Sequence, residues 1–326
     1  MGFSDHQTHS LFSDIETTPA PAEQAPHARR ALAMAGTAAD RSEFVRSVSV
    51  NVDDYSHGMR FMEGLIGRAS RSNTPGGLWL LGNGGQGKSF MLEAIARKHP
   101  PRETTSCRHC EAILIPLSSR PSTSDILLTI LMALGQSPEM LRYQKNTELE
   151  SIAIEAMAHC SVKVLLFDES QHLWLSTKGG VKRGVDRLGG QLGDFLKRLY
   201  DKSGVAFVFA GTPGLQELIN GDAQASTRWA GVLRLAPFEN DVNFMALLAS
   251  LSKALPMEEP SNLIEETLRT QIHTATQGNF RRLKNLLAEA VFLAASAGDK
   301  SVRREHLANA YFQVFCSMET PFGPAT

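Results

Sequence analysis

The sequence lacks several features that would assign a protein to a class at once. Its net charge is −1 over 326 residues, so no overall basicity points to a nucleic acid, and a DNA site has to be a local patch. Four cysteines are too few for a disulfide framework and favour a reducing compartment. No apolar run approaches the roughly 20 residues of a membrane span, and the first residues do not resemble a secretory signal. These absences predict a cytoplasmic protein with no membrane partner.

The N-terminal segment has the composition of a chain that does not pack. It is rich in alanine, proline, threonine and serine, and Pro19, Pro21 and Pro26 lie close together. Such a composition predicts a poorly ordered tail or a partner-binding arm over residues 1–42, and not a packed element. The chain as a whole has 42% apolar and 21% charged residues, which is typical of a globular protein.

Residues 82–89 match the phosphate-loop pattern G-x-x-x-x-G-K-[ST] at every fixed position. The segment 78–81 before them is apolar, and 90–98 after them has apolar residues at helical spacing. In a strand–loop–helix unit, backbone N–H groups and the positive end of the helix hold a phosphate. We therefore predict bound ATP; the alternative is a glycine-rich turn that matches by chance. The predicted nucleotide-binding residues of the loop are Gly82, Asn83, Gly84, Gly85, Gln86, Gly87, Lys88, Ser89 and Phe90.

Strand and helix signals alternate through the middle of the chain. Apolar runs predict strands at 78–81, 112–117, 163–167, 205–210 and 232–235. Helical patterns separate these runs, which predicts a parallel sheet covered on both faces. After residue 237 only helical patterns remain. An α/β domain with a five-stranded parallel sheet, followed by a small all-helical lid, is the plan of the AAA+ P-loop ATPases. We expect the nucleotide domain at 43–238, the lid at 239–318 and a tail at 319–326.

An acidic pair, Asp168 and Glu169, directly follows the third predicted strand. Parallel sheets bind ligands at the carboxyl ends of their strands, so we expect the pair to lie beside the phosphate loop. Asp168 and the Ser89 hydroxyl would hold Mg²⁺, and Lys88 would reach the β- and γ-phosphates. Glu169 would orient and deprotonate the attacking water. The alternative is a solvated strand end.

Three further residues are candidates for contacts with the γ-phosphate. Thr212 follows the fourth strand in a Gly-Thr-Pro-Gly turn, Arg228 precedes the fifth strand, and Arg281 follows a glycine of the lid. An arginine from a neighbouring subunit often completes such a site, so this role for Arg228 requires a homo-oligomer. The alternatives are a plain turn for Thr212 and surface positions for both arginines.

Together these segments resemble the TniB and TnsC family of transposition AAA+ ATPases and, more distantly, the Mu phage B protein. The resemblance rests on the segments 82–89, 115–117 with 127–135, 165–172, 209–213 and 278–283. The Asp-Glu-x-x-His run from Asp168 to His172 and the Gly-Thr-Pro turn are its more discriminating parts. The similarity spans about 45–315 and leaves the N-terminal arm outside.

The resemblance implies an ATPase that binds double-stranded DNA without sequence preference and assembles on it as a ring or helical filament. It also implies two protein partners, a DDE transposase and a TniQ-like target-selection protein, with ATP hydrolysis driving disassembly. An ATPase of the helicase-loader kind is the alternative, although residues 1–42 are short for a helicase-binding domain. A nucleotide switch with little turnover is a third interpretation, and the intact acidic pair argues against it.

Two local groups of cationic and polar residues are candidates for contacts with DNA phosphates. They are Arg120 and Thr123 after the second strand, and Lys178, Lys182 and Arg183 in the glycine-containing loop 176–187. The resemblance to the family implies that these two regions line the DNA channel. The alternative is a solvated loop. The Cys107-x-x-Cys110 pair supplies only half of a zinc site, and we do not predict a bound metal there.

Overall fold

The computed structural model describes residues 26–48, 53–103, 105, 108–141, 144–173, 190–317 and 319–323. Its strands are β1 (Gly77–Gly82), β2 (Arg102–Glu103), β3 (Arg108–His109), β4 (Ala112–Pro116), β5 (Val164–Asp168), β6 (Ala206–Gly211) and β7 (Gly231–Leu235). Five of them form a parallel sheet in the order β4-β5-β6-β1-β7, and β2 pairs with β3 in a short antiparallel hairpin. All five predicted strands are present, so the predicted parallel sheet is confirmed.

Helices cover the sheet and form the C-terminal part of the chain. They are α1 (Pro26–Ala35), α2 (Ala38–Ser47), α3 (Asp53–Ala69), α4 (Lys88–Lys98), α5 (Thr123–Ala133), α6 (Pro138–Leu141), α7 (Asn146–His159), α8 (Gln191–Ser203), α9 (Leu215–Gly221), α10 (Ala223–Arg228), α11 (Val242–Ala254), α12 (Glu266–Thr276), α13 (Phe280–Ala297) and α14 (Arg304–Phe315). Among these described helices, none is long and apolar enough to cross a membrane. The sequence pattern does not predict α9 and α10, because helices of 7 and 6 residues are too short to show a periodicity.

Alternate side chains of the central strands face opposite sides of the sheet. On one side, Trp79, Phe167 and Phe209 stack, with ring centroids 4.5 Å apart for Trp79–Phe209 and 5.0 Å apart for Phe167–Phe209. Phe207 and Trp229 extend this aromatic cluster. The alternate residues of the same strands face α3 and α4 on the other side of the sheet and are also buried. Because both faces are covered, the carboxyl edge of the sheet is where loop residues gather around a ligand.

The N-terminal helices pack on the lid. α2 lies along α13, and Val45 and Val48 are buried in the core that α11 to α14 form. On α1, the Arg30 guanidinium donates to the backbone carbonyls of Leu255 at 2.9 Å and Met257 at 2.7 Å. The two helices are therefore attached to the lid by both apolar and polar contacts.

The prediction of a poorly ordered arm is wrong for residues 26–42, which form α1 and the first half of α2. A capping box between Thr37 and Asp40 begins α2. Burial of Val45 against the lid then stabilises the helix. Composition does not reveal either effect, because one is local and the other depends on tertiary packing. Residues 1–25 lie outside the described ranges.

The C-terminal residues, which were predicted to form a tail, are also packed where the structure describes them. Phe322 belongs to the predicted tail 319–326, yet its side chain is buried and its ring lies edge-on to Tyr311, 6.3 Å between centroids. The described part of this segment therefore packs with the lid. The limits expected for the nucleotide domain, 43–238, and for the lid, 239–318, stay predictions.

Candidate nucleotide site

The glycine loop connects β1 to α4 at the carboxyl edge of the sheet. Gly85 and Gly87 have φ angles of +81° and +91°, in a region that glycine enters without strain. Gly82 is required for another reason, since a Cβ there would lie 2.9 Å from the carbonyl oxygen of Leu235. α4 begins at Lys88, so N–H groups of its first turn, which have no partner within the helix, open onto the loop. The loop therefore has the geometry of an anion-binding site.

The Lys88 ammonium is folded back onto the loop. Its Nζ donates to the carbonyl oxygens of Gly82 at 2.7 Å and Asn83 at 3.0 Å. Burial lowers the pKa of Lys88, and the Glu169 and Asp168 carboxylates oppose that shift. Lys88 is thus a partly desolvated cation within the field of the acidic pair, where an anion on the loop would stabilise it.

The acidic pair stands at the end of β5 in an uncommon backbone conformation. Glu169 has a φ of +55°, which a non-glycine residue adopts at a free-energy cost on the order of 1–3 kcal/mol. Its N–H donates to Asp168 Oδ1 at 2.9 Å, and the Gln171 amide donates to the Glu169 carboxylate. Strain of this kind clusters at functional sites, and here it sits at the residue predicted to act as the base.

One cavity of about 240 Å³ brings together predicted residues from distant parts of the chain. Lys88, Ser89, Glu169 and Thr212 from the α/β domain and Arg281 from the lid all line it. Their predicted individual roles stay predictions. Four elements, α4, β5, β6 and α13, supply or precede these residues, so the cavity depends on the fold as a whole.

Asp168 and Ser89 fit the ligand requirements of magnesium. Mg²⁺ prefers hard oxygen ligands in an octahedral arrangement that phosphate and water oxygens complete. Ser89 offers a hydroxyl on the first turn of α4, and Asp168 a carboxylate at the end of β5. Asp168 is not among the residues that line the cavity, but its carboxylate opposes the lowering of the Lys88 pKa by burial.

The lid reaches the glycine loop at the start of α13. The Asn279 side-chain amide donates to the Gly84 carbonyl at 2.8 Å, and the Arg281 N–H donates to the Gly85 carbonyl at 2.9 Å. A Cβ at Gly85 would lie 2.6 Å from Asn279 Oδ1, so this approach requires a glycine. Asn279 was missed from the sequence, although an asparagine just before a helix is a capping signal, and it does accept from the N–H of Arg282.

Arg228 lies apart from the cavity. It is the last residue of α10, and its guanidinium donates to the carboxylate of Asp201 on α8. This hydrogen-bonded pair raises the pKa of Arg228 and lowers the pKa of Asp201. The fold does not bring Arg228 to the site of its own subunit, and its action in a neighbouring subunit stays a prediction.

Residues 49–239 match the family model described as "Bacterial TniB protein". The chain belongs to the TniB family. The predicted resemblance is thereby confirmed, and the match includes the glycine loop, the acidic pair and Thr212. The lid arginine, Arg281, lies beyond it. None of the curated proteins matches this TniB-family chain.

Solved structures similar to the TniB-family chain share its fold. The Cdc6p protein of Pyrobaculum aerophilum is 16% identical, with a TM-score of 0.55 over 82% of this chain and 69% of that one. The Aeropyrum pernix ORC1 protein, solved in complex with DNA, is 17% identical with a TM-score of 0.56 over 83% and 67%. Domain III of the Thermotoga maritima replication initiation protein DnaA is 17% identical, with 0.50 over 80% and 92%. These likenesses confirm the predicted AAA+ fold and show the fold alone.

A second cavity of the TniB-family chain, about 340 Å³, adjoins the glycine loop. Apolar and aromatic side chains form much of its wall, among them Tyr55, Phe90, Pro237, Phe238 and Leu247. Phe90 also lines the first cavity, so the two meet there. Such a space suits a flat aromatic base beside phosphates. Sequence reasoning missed it because α3, α4 and the lid contribute walls that are distant in sequence.

The predicted DNA contacts are described only in part. Arg120 is exposed in the turn after β4, and Thr123 is the first residue of α5. Lys178, Lys182 and Arg183 lie outside the described residues. Arg120 is therefore an accessible cation, and DNA binding by all five stays a prediction.

The cysteine pair is also described in part. The Cys110 side chain is buried, and its thiol donates to the Ala112 carbonyl at 3.4 Å. Burial raises the pKa of Cys110, so its thiolate form is disfavoured. Cys107 lies outside the described residues.

Proposed function

We propose that this TniB-family protein is an ATP-dependent, DNA-binding regulator of transposition that assembles on duplex DNA and is released from it by ATP hydrolysis. The observation that carries the proposal is the meeting of Lys88, Ser89, Glu169 and Thr212 with the lid residue Arg281 around one cavity. A glycine-rich turn that binds no ligand would not explain why a carboxylate, hydroxyl groups and a lid cation line one cavity. The family match supports the role in transposition.

In the proposed complex, the base of ATP lies in the apolar cavity beside Phe90 and Phe238, and the phosphates lie on the glycine loop. First-turn N–H groups of α4 bind the phosphates. Lys88 leaves its backbone carbonyl partners and binds the β- and γ-phosphates. When bound, Mg²⁺ offsets phosphate charge, and the Ser89 hydroxyl and Asp168 would hold it.

Glu169 is the proposed general base. Its carboxylate takes a proton from water as the water oxygen attacks the γ-phosphorus and the bond from that phosphorus to the bridging oxygen of ADP breaks. The Gln171 amide donates to the Glu169 carboxylate, and this hydrogen bond would orient the carboxylate. Thr212 and Arg281 would bind the γ-phosphate, from the end of β6 and from the lid.

The site is completed in an oligomer under this proposal. Arg228 lies away from its own cavity, and it would stabilise the charge on the γ-phosphate of a neighbouring subunit. Subunits related by such a head-to-tail contact form rings or helical filaments. The protein would act in the cytoplasm, where the proposed partners are a DDE transposase and a TniQ-like target-selection protein.

Duplex DNA is the proposed nucleic acid. Arg120 and Thr123, with Lys178, Lys182 and Arg183, would contact phosphates and leave the bases unread, so binding would be insensitive to sequence. The ORC1 protein of Aeropyrum pernix, which has a similar fold, was solved in complex with DNA, which supports DNA binding by this plan.

A helicase-loader-like ATPase of DNA replication is the second candidate. The similarity to domain III of DnaA, a replication initiation protein, favours it. The family match to TniB favours the transposition role instead, because it concerns this sequence, whereas the DnaA likeness concerns the fold.

Electron microscopy of the protein on random-sequence duplex DNA tests the proposal. We expect rings or filaments with ATP or a slowly hydrolysed analogue, fewer with ADP, and none with the Lys88→Ala variant. Binding should fall steeply as salt rises, because each phosphate contact releases a counterion. Absence of any assembly at low salt would rule out the proposed function, whereas recruitment of a replicative helicase in place of a transposase would favour the second candidate.

A further inference from the structure

The N-terminal helix α2 contributes a residue to the cavity that Lys88, Glu169 and Thr212 line. Arg46, in the last turn of α2, lines the same cavity as Lys88 and Arg281. α2 is held there by its packing along α13. The family match begins at residue 49, so this arginine comes from outside the matched region.

The Arg46 guanidinium has one hydrogen bond and one exposed ion pair on its own helix. It donates to Ser42 Oγ at 3.0 Å and lies 3.6 Å from the Glu43 carboxylate. The Glu43 side chain is 76% exposed, and an exposed pair of this kind contributes little. If the guanidinium turned toward an anion in the cavity, it would exchange one hydrogen bond and a weak ion pair for charge-assisted hydrogen bonds to that anion.

Lys284 brings a second cation to the same cavity from the lid. It follows Arg281 by three residues on α13, so both side chains lie on one face of the helix. Its ammonium donates to the Val48 carbonyl at 2.8 Å, at the end of α2, and lies 5.1 and 5.5 Å from the ring centroids of Phe90 and Phe280.

Lys284 is buried without a counter-charge in the part of the chain that the structure describes. Lys284 is 7% exposed. Burial lowers the pKa of its ammonium to about 8, and no carboxylate opposes this shift. A buried ammonium that lacks an anion is destabilised by desolvation. An anion in the cavity would supply the missing charge.

We propose that Arg46 and Lys284 bind the terminal phosphate of the nucleoside triphosphate, so that α2 and the lid together distinguish a triphosphate from a diphosphate. This rests on the proposed function, since it assumes that the cavity holds ATP. Glu169 and Thr212, which would flank the γ-phosphate, line the cavity with both cations. The Lys284–Val48 hydrogen bond would then couple the state of the nucleotide to the position of the N-terminal helices.

Calorimetric titration of the full chain with a slowly hydrolysed ATP analogue and with ADP tests this proposal. We expect Arg46→Gln to weaken binding of the analogue about tenfold, as for loss of one charge-assisted hydrogen bond, and to change ADP binding less than about twofold. Arg282→Gln is the matched control: it removes the same charge from α13 at a residue that lies over the Phe315 ring and outside the cavity. It should change neither affinity.

Lys284→Met keeps the volume of the side chain and removes its charge, and we expect the same selective loss for the analogue. Circular dichroism would establish that this variant is folded; if it is not, Arg46→Gln decides alone. Unchanged binding of both ligands by Arg46→Gln, or equal weakening of both, would overturn the assignment to the terminal phosphate. Failure of the wild-type chain to bind either ligand would instead remove the proposed function.

Discussion

The carboxylate of Asp201 holds the guanidinium of Arg228 through two hydrogen bonds, 2.9 Å from Nε to Oδ1 and 2.7 Å from Nη2 to Oδ2. Two parallel bonds of this kind fix the plane of the guanidinium as well as its position. The pair joins α8 to α10, and the Arg228 side chain remains 26% exposed. The arginine is thus presented at a surface of the subunit, where a neighbouring subunit could receive it.

Mixing two inactive variants tests the proposed action of Arg228 between subunits. Arg228→Ala should lower ATP hydrolysis by about 10³-fold or more while ATP still binds, and Glu169→Gln should bind ATP and assemble but hydrolyse it poorly. In a random mixture, about a quarter of the head-to-tail contacts join an intact Glu169 to an intact Arg228, so activity should reappear on DNA. Phosphate release from each variant alone is the control, and a mixture no more active than its components would place Arg228 outside the site.

Glu169→Gln should separate binding from hydrolysis. The amide keeps the shape of the side chain but cannot take a proton from water, so turnover should fall by about 10²–10⁴-fold with ATP affinity nearly unchanged. Glu155→Gln is a matched control, because Glu155 is exposed on α7. Single-turnover phosphate release measures the effect, and wild-type turnover in Glu169→Gln would remove Glu169 from its role.

Gly85→Ala should detach the lid from the glycine loop. The alanine Cβ would lie 2.6 Å from Asn279 Oδ1, and the backbone would be strained at a φ of +81°. We expect nucleotide affinity to fall about tenfold or more, because the contact that holds Arg281 at the cavity is lost. Gly84→Ala is the control, since its Cβ would meet no atom within 4 Å. Equal affinities of the two variants would show that the lid contact is not required.

The sequence predicts the parts of the site that belong to one continuous segment. The glycine loop and the acidic pair are recognised because strand, loop and charged side chain follow one another in the chain, and their patterns are local. Asn279, Arg46 and Lys284 could not be found in this way. Their positions depend on the packing of α2 and α13 on the nucleotide domain, which no local pattern encodes. Packing on the lid is also part of the reason why residues 26–42 were predicted to be poorly ordered.

The buried ion pair between Lys197 and Asp222 should make the fold sensitive to the loss of either partner alone. The two side chains are 10% and 7% exposed and lie 2.8 Å apart, and Asp222 also caps α10. Asp222→Ala leaves the Lys197 charge buried without a partner, and we expect it to lower the free energy of unfolding by about 3–5 kcal/mol. Urea denaturation measures this change.

Glu259→Ala is the matched control for that experiment. Glu259 lies 3.9 Å from Lys300 in a pair whose side chains are both more than half exposed, so its loss should change the free energy of unfolding by less than about 1 kcal/mol. The double variant Lys197→Met with Asp222→Asn should regain part of the lost stability, because it removes both charges. A small effect of Asp222→Ala, similar to that of the control, would contradict the assignment.

The Lys197–Asp222 pair should make the free energy of unfolding depend on pH under acidic conditions. Burial raises the pKa of Asp222, but the hydrogen bond from Lys197 and the capping N–H groups outweigh that effect, so its pKa lies below the usual value for aspartate. A carboxyl whose pKa is lower in the folded state stabilises the fold above its unfolded pKa and loses that contribution as pH falls through the folded value. Asp222→Asn should therefore be less stable than wild type at pH 7, with the difference shrinking below about pH 4. A difference that stays constant down to pH 3 would assign the stabilisation to the shape of the side chain and not to its charge.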